Sequence, residues 1–136
     1  MFSNILVPID IAHTGHGAKA IQATKEIANS NSKVTLLTVL PSIPSYVASE
    51  LPQDIQLNSS KIAEKQLTML LQQSTLTASL VIKHGNPYHT ILDVAEETKA
   101  DCIIISSHKP GWESYLLGSV AAKVVRHANC SVMVLR

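Results

Sequence analysis

Short runs of consecutive apolar residues alternate along the chain with stretches whose apolar residues recur every three or four positions. That alternation predicts strands exchanging with helices. The first run, residues 4–10, sets Ile5, Leu6 and Val7 side by side. Successive side chains of a strand point to opposite faces, so three apolar neighbours suit a strand covered on both sides. Residues 34–40, 79–83, 101–106 and 130–135 read the same way. Helical spacing runs from about Gly15 to Asn29, with Ala20, Ala23 and Ile27 on one face. It resumes over residues 61–73, where Ala63, Leu67, Leu70 and Leu71 form a stripe.

Asn86 before Pro87 predicts another helix start: the asparagine oxygen can cap the first turn, and proline's missing N–H costs nothing there. Tyr88, Ile91, Leu92 and Ala95 make its inner face. A last helix from Ser119 to His127 places Val120, Ala121, Val124, Val125 and Ala128 along one side. Residues 41–59, with prolines at 41, 44 and 52, are expected to form a long loop serving as a lid or an interface.

Five strands alternating with four helices predict an α/β fold, a single open parallel sheet with helices on both faces and right-handed crossovers. Such sheets bind ligands beyond the C-terminal ends of their strands, where the strand order reverses. The loops after each strand are therefore the places to search for chemistry.

Composition narrows the class of protein. Hydrophobic residues make up 46% and charged residues 15% of 136, a globular balance, and one domain over 1–136 needs no disulfide or metal to hold its core. Eleven basic against ten acidic residues leave +1 with no long run of either sign, so no nucleic-acid partner is expected. No apolar stretch approaches the roughly 20 residues of a membrane span, so no membrane is expected either. The start, MFSNILVPID, has no basic leader. Cys102 and Cys130 are the only cysteines and sit in apolar runs, as buried free thiols of a reducing compartment would. A cytoplasmic location is expected.

Two loops carry candidate chemistry. After strand one, Asp10 stands where a carboxylate can face the crevice, although a turn or capping role suits it equally. Gly15-His16-Gly17-Ala18-Lys19-Ala20 has the spacing of a dinucleotide fingerprint, but its glycines do not follow the strand directly. Strand two also closes on Leu40-Pro41 rather than on an acid, so a Rossmann dehydrogenase is set aside. After strand four, Ser106-Ser107-His108-Lys109 precedes Gly118-Ser119 at a helix start. Hydroxyls, an imidazole and an ammonium beside a helix N-terminus suit an anion, while a plain turn and cap remain the alternative.

His13 and His16 crowd a single turn with no partner acid nearby, and His84 and His89 lack a third ligand at suitable spacing, so no metal site is expected. A phospho-receiver would close strand three on an acid, where this chain has His84 and Gly85. A flavodoxin would follow strand one with a hydroxyl-rich loop, and Thr14 alone is a poor substitute.

With these loops placed, the chain resembles the universal stress protein family, in particular its F/G-type branch. The resemblance rests on Ile5-Leu6-Val7-Pro8-Ile9-Asp10, Leu37-Thr38-Val39, Gly85-Asn86-Pro87, Ser107-His108-Lys109-Pro110, Tyr115-Leu116-Leu117-Gly118-Ser119-Val120-Ala121 and the closing Cys130-Ser131-Val132-Met133-Val134-Leu135-Arg136. It implies strand order 3-2-1-4-5, the adenine nucleotide alpha hydrolase-like arrangement, with ATP, with or without Mg²⁺, between strands one and four. By position Pro8, Asp10 and Val39 would meet the adenosine end. Ser106, Lys109, Gly118 and Ser119 would meet the phosphates, with Ile105, Ser107, His108 and Val120 completing the nucleotide site.

The family's G-x2-G-x9-G-[ST] motif falls on Ser106, Lys109, Gly118 and Ser119, so its first two glycines are absent and the last spacer, 110–117, is eight residues. Ser107, Lys109 and Ser119 would have to supply those anion contacts. The resemblance also implies a homodimer through the strand from Cys130 to Leu135. The expected function is an ATP-binding, dimeric stress-response protein; the alternative is an interaction scaffold of the same fold without nucleotide. Slow ATP hydrolysis or self-phosphorylation is less expected, because Asp10 and Glu113 are the only acids near the proposed site.

Overall fold

Ile5, Leu6 and Val7 lie at the centre of the protein, and the rest of the fold is arranged about them. In the computed structural model the described residues are 1–12, 14–42, 44–50, 53–107 and 117–136. The strands are β1 (Asn4–Pro8), β2 (Lys33–Leu40), β3 (Ser79–His84), β4 (Cys102–Ser106) and β5 (Ser131–Leu135). The helices are α1 (Thr14–Ile27), α2 (Ser45–Ala48), α3 (Gln53–Gln73), α4 (Pro87–Glu97) and α5 (Ser119–His127). The strands form one parallel sheet in the order β3-β2-β1-β4-β5, with Ile5 beside Val34 on one side and Cys102 on the other.

Alternation along β1 divides the core in two. Ile5 and Val7 pack with Leu36, Ile104, Ala20, Ile21 and Leu67 under α1 and α3. Leu6 faces the other way, onto Leu37, Ile103, Ile91, Val94 and Val124 under α4 and α5. Consecutive burial in the central strands follows from these two covers. As expected, Asn86 caps α4, its side chain accepting from the His89 N–H, with Pro87 in the first position.

Residues 41–59 are not the long loop that their prolines suggest. The segment contains α2, and α3 begins at Gln53, well before Lys61. Pro44 is the N-cap of α2, and position 52 immediately precedes α3. Proline is excluded from helix interiors but tolerated at their starts. The periodic signal fails there because Ile55 and Leu57 are 43% and 59% exposed, so these apolar residues of the extension mark no buried stripe. Smaller differences also occur. Val125 is exposed rather than inward, and the last strand starts at Ser131, one position after Cys130.

Both cysteines are free; Cys102 is buried and Cys130 half-buried. Burial, and then the neighbouring Cys130 and Asp101, push the Cys102 thiol up to about 11, which leaves it protonated and unreactive near neutrality.

Two features predict stability changes. α4 ends with Lys99 at φ 52, while Ala100 N–H bonds to Ala95 O (2.8 Å) and Lys99 N–H to Glu96 O (3.1 Å). That Schellman pattern needs a left-handed residue, which glycine adopts without the penalty a Cβ brings. Lys99→Gly is expected to stabilise the fold by about 0.5–1 kcal/mol, the relief being partly offset by the freer unfolded chain. A higher urea midpoint with unchanged slope would show it.

Asp101 ties the chain start to the head of β4, accepting from Ser3 N–H (2.7 Å) and Asn4 N–H (3.0 Å). The Ser3 hydrogen bond first, and then that of Asn4, hold its carboxyl below the usual range against the opposing pull of burial. A depressed folded pKa contributes stability that is present above the unfolded value, about 3.9, and lost as pH falls through the folded one. Unfolding curves at near-neutral and acid pH should therefore show Asp101→Ala less stable than the parent at neutrality. The gap between them should shrink below about pH 4.

Candidate functional site

The chain leaves β1 locked onto β2. Pro8 has no N–H to donate, but the Ile9 N–H reaches Leu37 O (2.7 Å), and the buried Thr38 hydroxyl donates to Ile9 O (3.0 Å). Asp10 then lies past the strand end, and its Oδ1 accepts from the Ala12 N–H (3.0 Å). This is an Asx turn, which bends the chain toward α1. Gly17 in the first turns of α1 allows a close approach: a Cβ there would stand 3.0 Å from Ile9 Cγ2 and 3.3 Å from Leu70 Cδ1. The second glycine of the rejected dinucleotide spacing thus has a packing role.

On the other side, the Ser106 hydroxyl at the end of β4 donates to His16 O (3.4 Å). Ser107 continues the ladder instead, its N–H donating to Leu135 O (2.6 Å). Gly118 is the buried N-cap of α5, with φ −56 and ψ 150 and no side-chain capping bond. First-turn N–H groups of a helix have no partner within the helix, and they sit at its positive end.

These elements surround a cavity of about 510 Å³, a volume in the range of small-molecule sites. It opens at the C-terminal ends of β1, β2 and β4, where the sheet order turns from β1 toward β2 on one side and toward β4 on the other. Pro8, Asp10, Val39, Ile105, Ser106, Gly118, Ser119 and Val120, all expected from the sequence, line it. Ser107 does not; its position past β4 is taken up by β5. His108 and Lys109 lie outside the described residues, as does His13.

Sequence reasoning missed part of the lining. Sequence pattern marks Thr38 as strand, Pro87 as a helix start, Ile91 as helix core and His16 as part of a glycine-flanked turn, yet all four line the cavity. The wall is mostly apolar, with polar groups gathered at Asp10, His16, Ser106 and Ser119. Such a site can hold a flat apolar ring system against Val39, Ile91 and Ile105 while presenting N–H and hydroxyl donors to an anion.

Fold and cavity together define a doubly wound α/β protein with a ligand-sized cleft at its switch point. The chain belongs to the universal stress protein family, whose model matches residues 1–136. It is 30% identical over 142 residues to Universal stress protein G of Escherichia coli O157:H7, with the whole of both chains covered. Among solved structures, the universal stress protein UspA from Lactobacillus plantarum is 28% identical with a TM-score of 0.71, covering 98% of this chain and 97% of that one.

More distant structures share the fold. They include the Archaeoglobus fulgidus protein in complex with dAMP (18% identity, TM-score 0.70, covering 98% of each chain). An Arabidopsis thaliana protein with AMP bound reaches 21% identity and a TM-score of 0.63, covering 98% of this chain and 90% of that one. A universal stress protein in complex with cAMP reaches 20% and 0.66, covering 99% and 97%. Among the described residues, no helix is long and apolar enough to cross a membrane.

Proposed function

We propose that this universal stress protein binds an adenine nucleotide in the cleft and acts as a cytoplasmic, dimeric stress-response protein. The carrying observation is the mostly apolar cavity of about 510 Å³ that the first turn of α5 lines with Ser119, Val120 and Ala121. The adenine ring lies against Val39, Ile91 and Ile105, and Pro8 and Asp10 flank the ribose. The phosphates meet Ser106 and the N–H groups of Ser119 and Val120, with His108 and Lys109 contributing from the segment between. Fold relatives bound to AMP, dAMP and cAMP support the ligand class. ATP, with or without Mg²⁺, is the ligand taken here; when bound, it supplies a polyphosphate for the α5 donors to hold.

Freshly purified protein, denatured and analysed by chromatography and mass spectrometry, should release an adenine nucleotide. The stripped protein should then give saturable heat with Mg-ATP in the micromolar range. Neither nucleotide nor heat would leave an interaction scaffold of the same fold.

For the dimer, β5 stands at one end of the sheet order, beside β4, among the described residues, and Val132 to Leu135 are half-buried. An apolar edge of this kind needs covering, and a symmetric copy covers it. Val134→Lys, or Val132→Lys, is expected to convert dimer to monomer by light scattering at dilute concentration. Unchanged mass for a folded variant would rule this interface out.

A further inference from the structure

His16 sits in the first turns of α1, half-buried on the cavity wall. The Ser106 hydroxyl holds its carbonyl oxygen from ninety residues away, which pins this part of α1 to the end of β4. Among the described residues that line the cavity, Asp10 and His16 carry the ionisable side chains. The cleft therefore joins His16 on α1 to the first turn of α5, where Gly118, Ser119 and Val120 line the same space. Asp10 faces the cavity from beyond β1 with one carboxylate oxygen turned to Ala12 N–H. Ser106 and Ser119 bring hydroxyls from β4 and α5. α3 meets this turn through the apolar Leu70, and Lys19 on α1 itself is exposed.

We propose that His16 is the charge-reading residue of the cleft: its protonated imidazole contacts the phosphate of the bound adenine nucleotide, so that affinity for the anion rises as pH falls. This rests on the nucleotide-binding reading and adds a pH response to it. Histidine is the side chain whose charge changes between about pH 5 and 8. In its protonated form it is a second cationic partner to a phosphate that the α5 dipole already favours.

ATP and AMP change their own charge over that range, so the probe is 3′,5′-cyclic AMP, whose phosphodiester carries a fixed negative charge. Adenosine, with no charge, is the control for effects arising at the base or at Asp10. Calorimetric titrations at about pH 5.5 and about pH 8 should show cyclic AMP binding about tenfold tighter at the acid end. Adenosine should bind equally at both. In His16→Gln, which keeps a neutral hydrogen-bonding group, the cyclic AMP difference should fall below about twofold. That variant also separates His16 from His13 and His108.

A measurement on the unaltered protein gives the same answer independently. The His16 ring resonance, followed by NMR near neutral pH, should move toward its protonated position when cyclic AMP is bound and stay in place with adenosine. A flat pH dependence, an undiminished slope in His16→Gln, or a His16 ring resonance unmoved by cyclic AMP each overturn the proposal while leaving nucleotide binding intact. Failure of both ligands to bind at either pH overturns the nucleotide reading and this proposal together.

Discussion

Gly118→Val is expected to weaken adenine-nucleotide binding by about a hundredfold, equivalent to losing one or two hydrogen bonds to a charged group. Gly118 is buried, lines the cavity and caps α5, whose first turn supplies three successive lining residues, Ser119, Val120 and Ala121. A branched side chain there adds bulk at a position that lines the cleft. The fold should survive, because φ −56 and ψ 150 are open to any residue and no side-chain cap is lost. Replacing glycine by valine at an N-cap costs about 1 kcal/mol, and placing the branch at a buried position about 1–3 kcal/mol more. Calorimetry and urea unfolding on the same sample separate the two effects. An affinity within about threefold of the parent would place the ligand away from α5.

Leu67→Ala carries the largest expected loss of stability, about 3 kcal/mol. Leu67 is fully buried on α3, in the cluster that contains Ile5, Val7, Leu36 and Ile104. Removing its branched end leaves a cavity against the central strands, which cannot collapse without moving the sheet. The same helix supplies the contrast. Ile62 is 57% exposed, and Ile62→Ala should change stability by about 0.5 kcal/mol or less. Similar losses for the two variants in denaturant would show that α3 is not held by its Ala63–Leu67 face.

The central strands were legible because burial on both faces leaves uninterrupted apolar runs such as Cys102 to Ile105. Their order was not, since local pattern records what a strand buries and not which strand lies beside it; resemblance to a family supplied the order. The helical start at Gln53 was hidden for a different reason. Ile55 and Leu57 face outward, and proline marks a boundary without saying whether a helix or a loop follows.

In the cleft, the polar residues at strand and helix ends were legible from chemistry, since Asp10, Ser106 and Ser119 occupy positions where side chains can reach a ligand. The apolar wall was not. Ile91 packs in the core and lines the cavity at once, and no single-residue signal distinguishes a core face from a cleft wall. His16 needed the fold, because α1 packs on β4 only in three dimensions, where the Ser106 hydroxyl donates to His16 O. Gly17 likewise acquired its role from Ile9 and Leu70 and not from the spacing of its neighbours.

The central claim is that an adenine nucleotide binds at the ends of β1, β2 and β4 against the first turn of α5. Backbone amide NMR of the nucleotide-free protein, titrated with Mg-ATP, tests it residue by residue. The account predicts saturable shifts at Ile9, Asp10, Val39, Ser119 and Val120, with β3 and the outer face of α3 unmoved. Shifts confined to other surfaces, or none at saturating nucleotide, would contradict it.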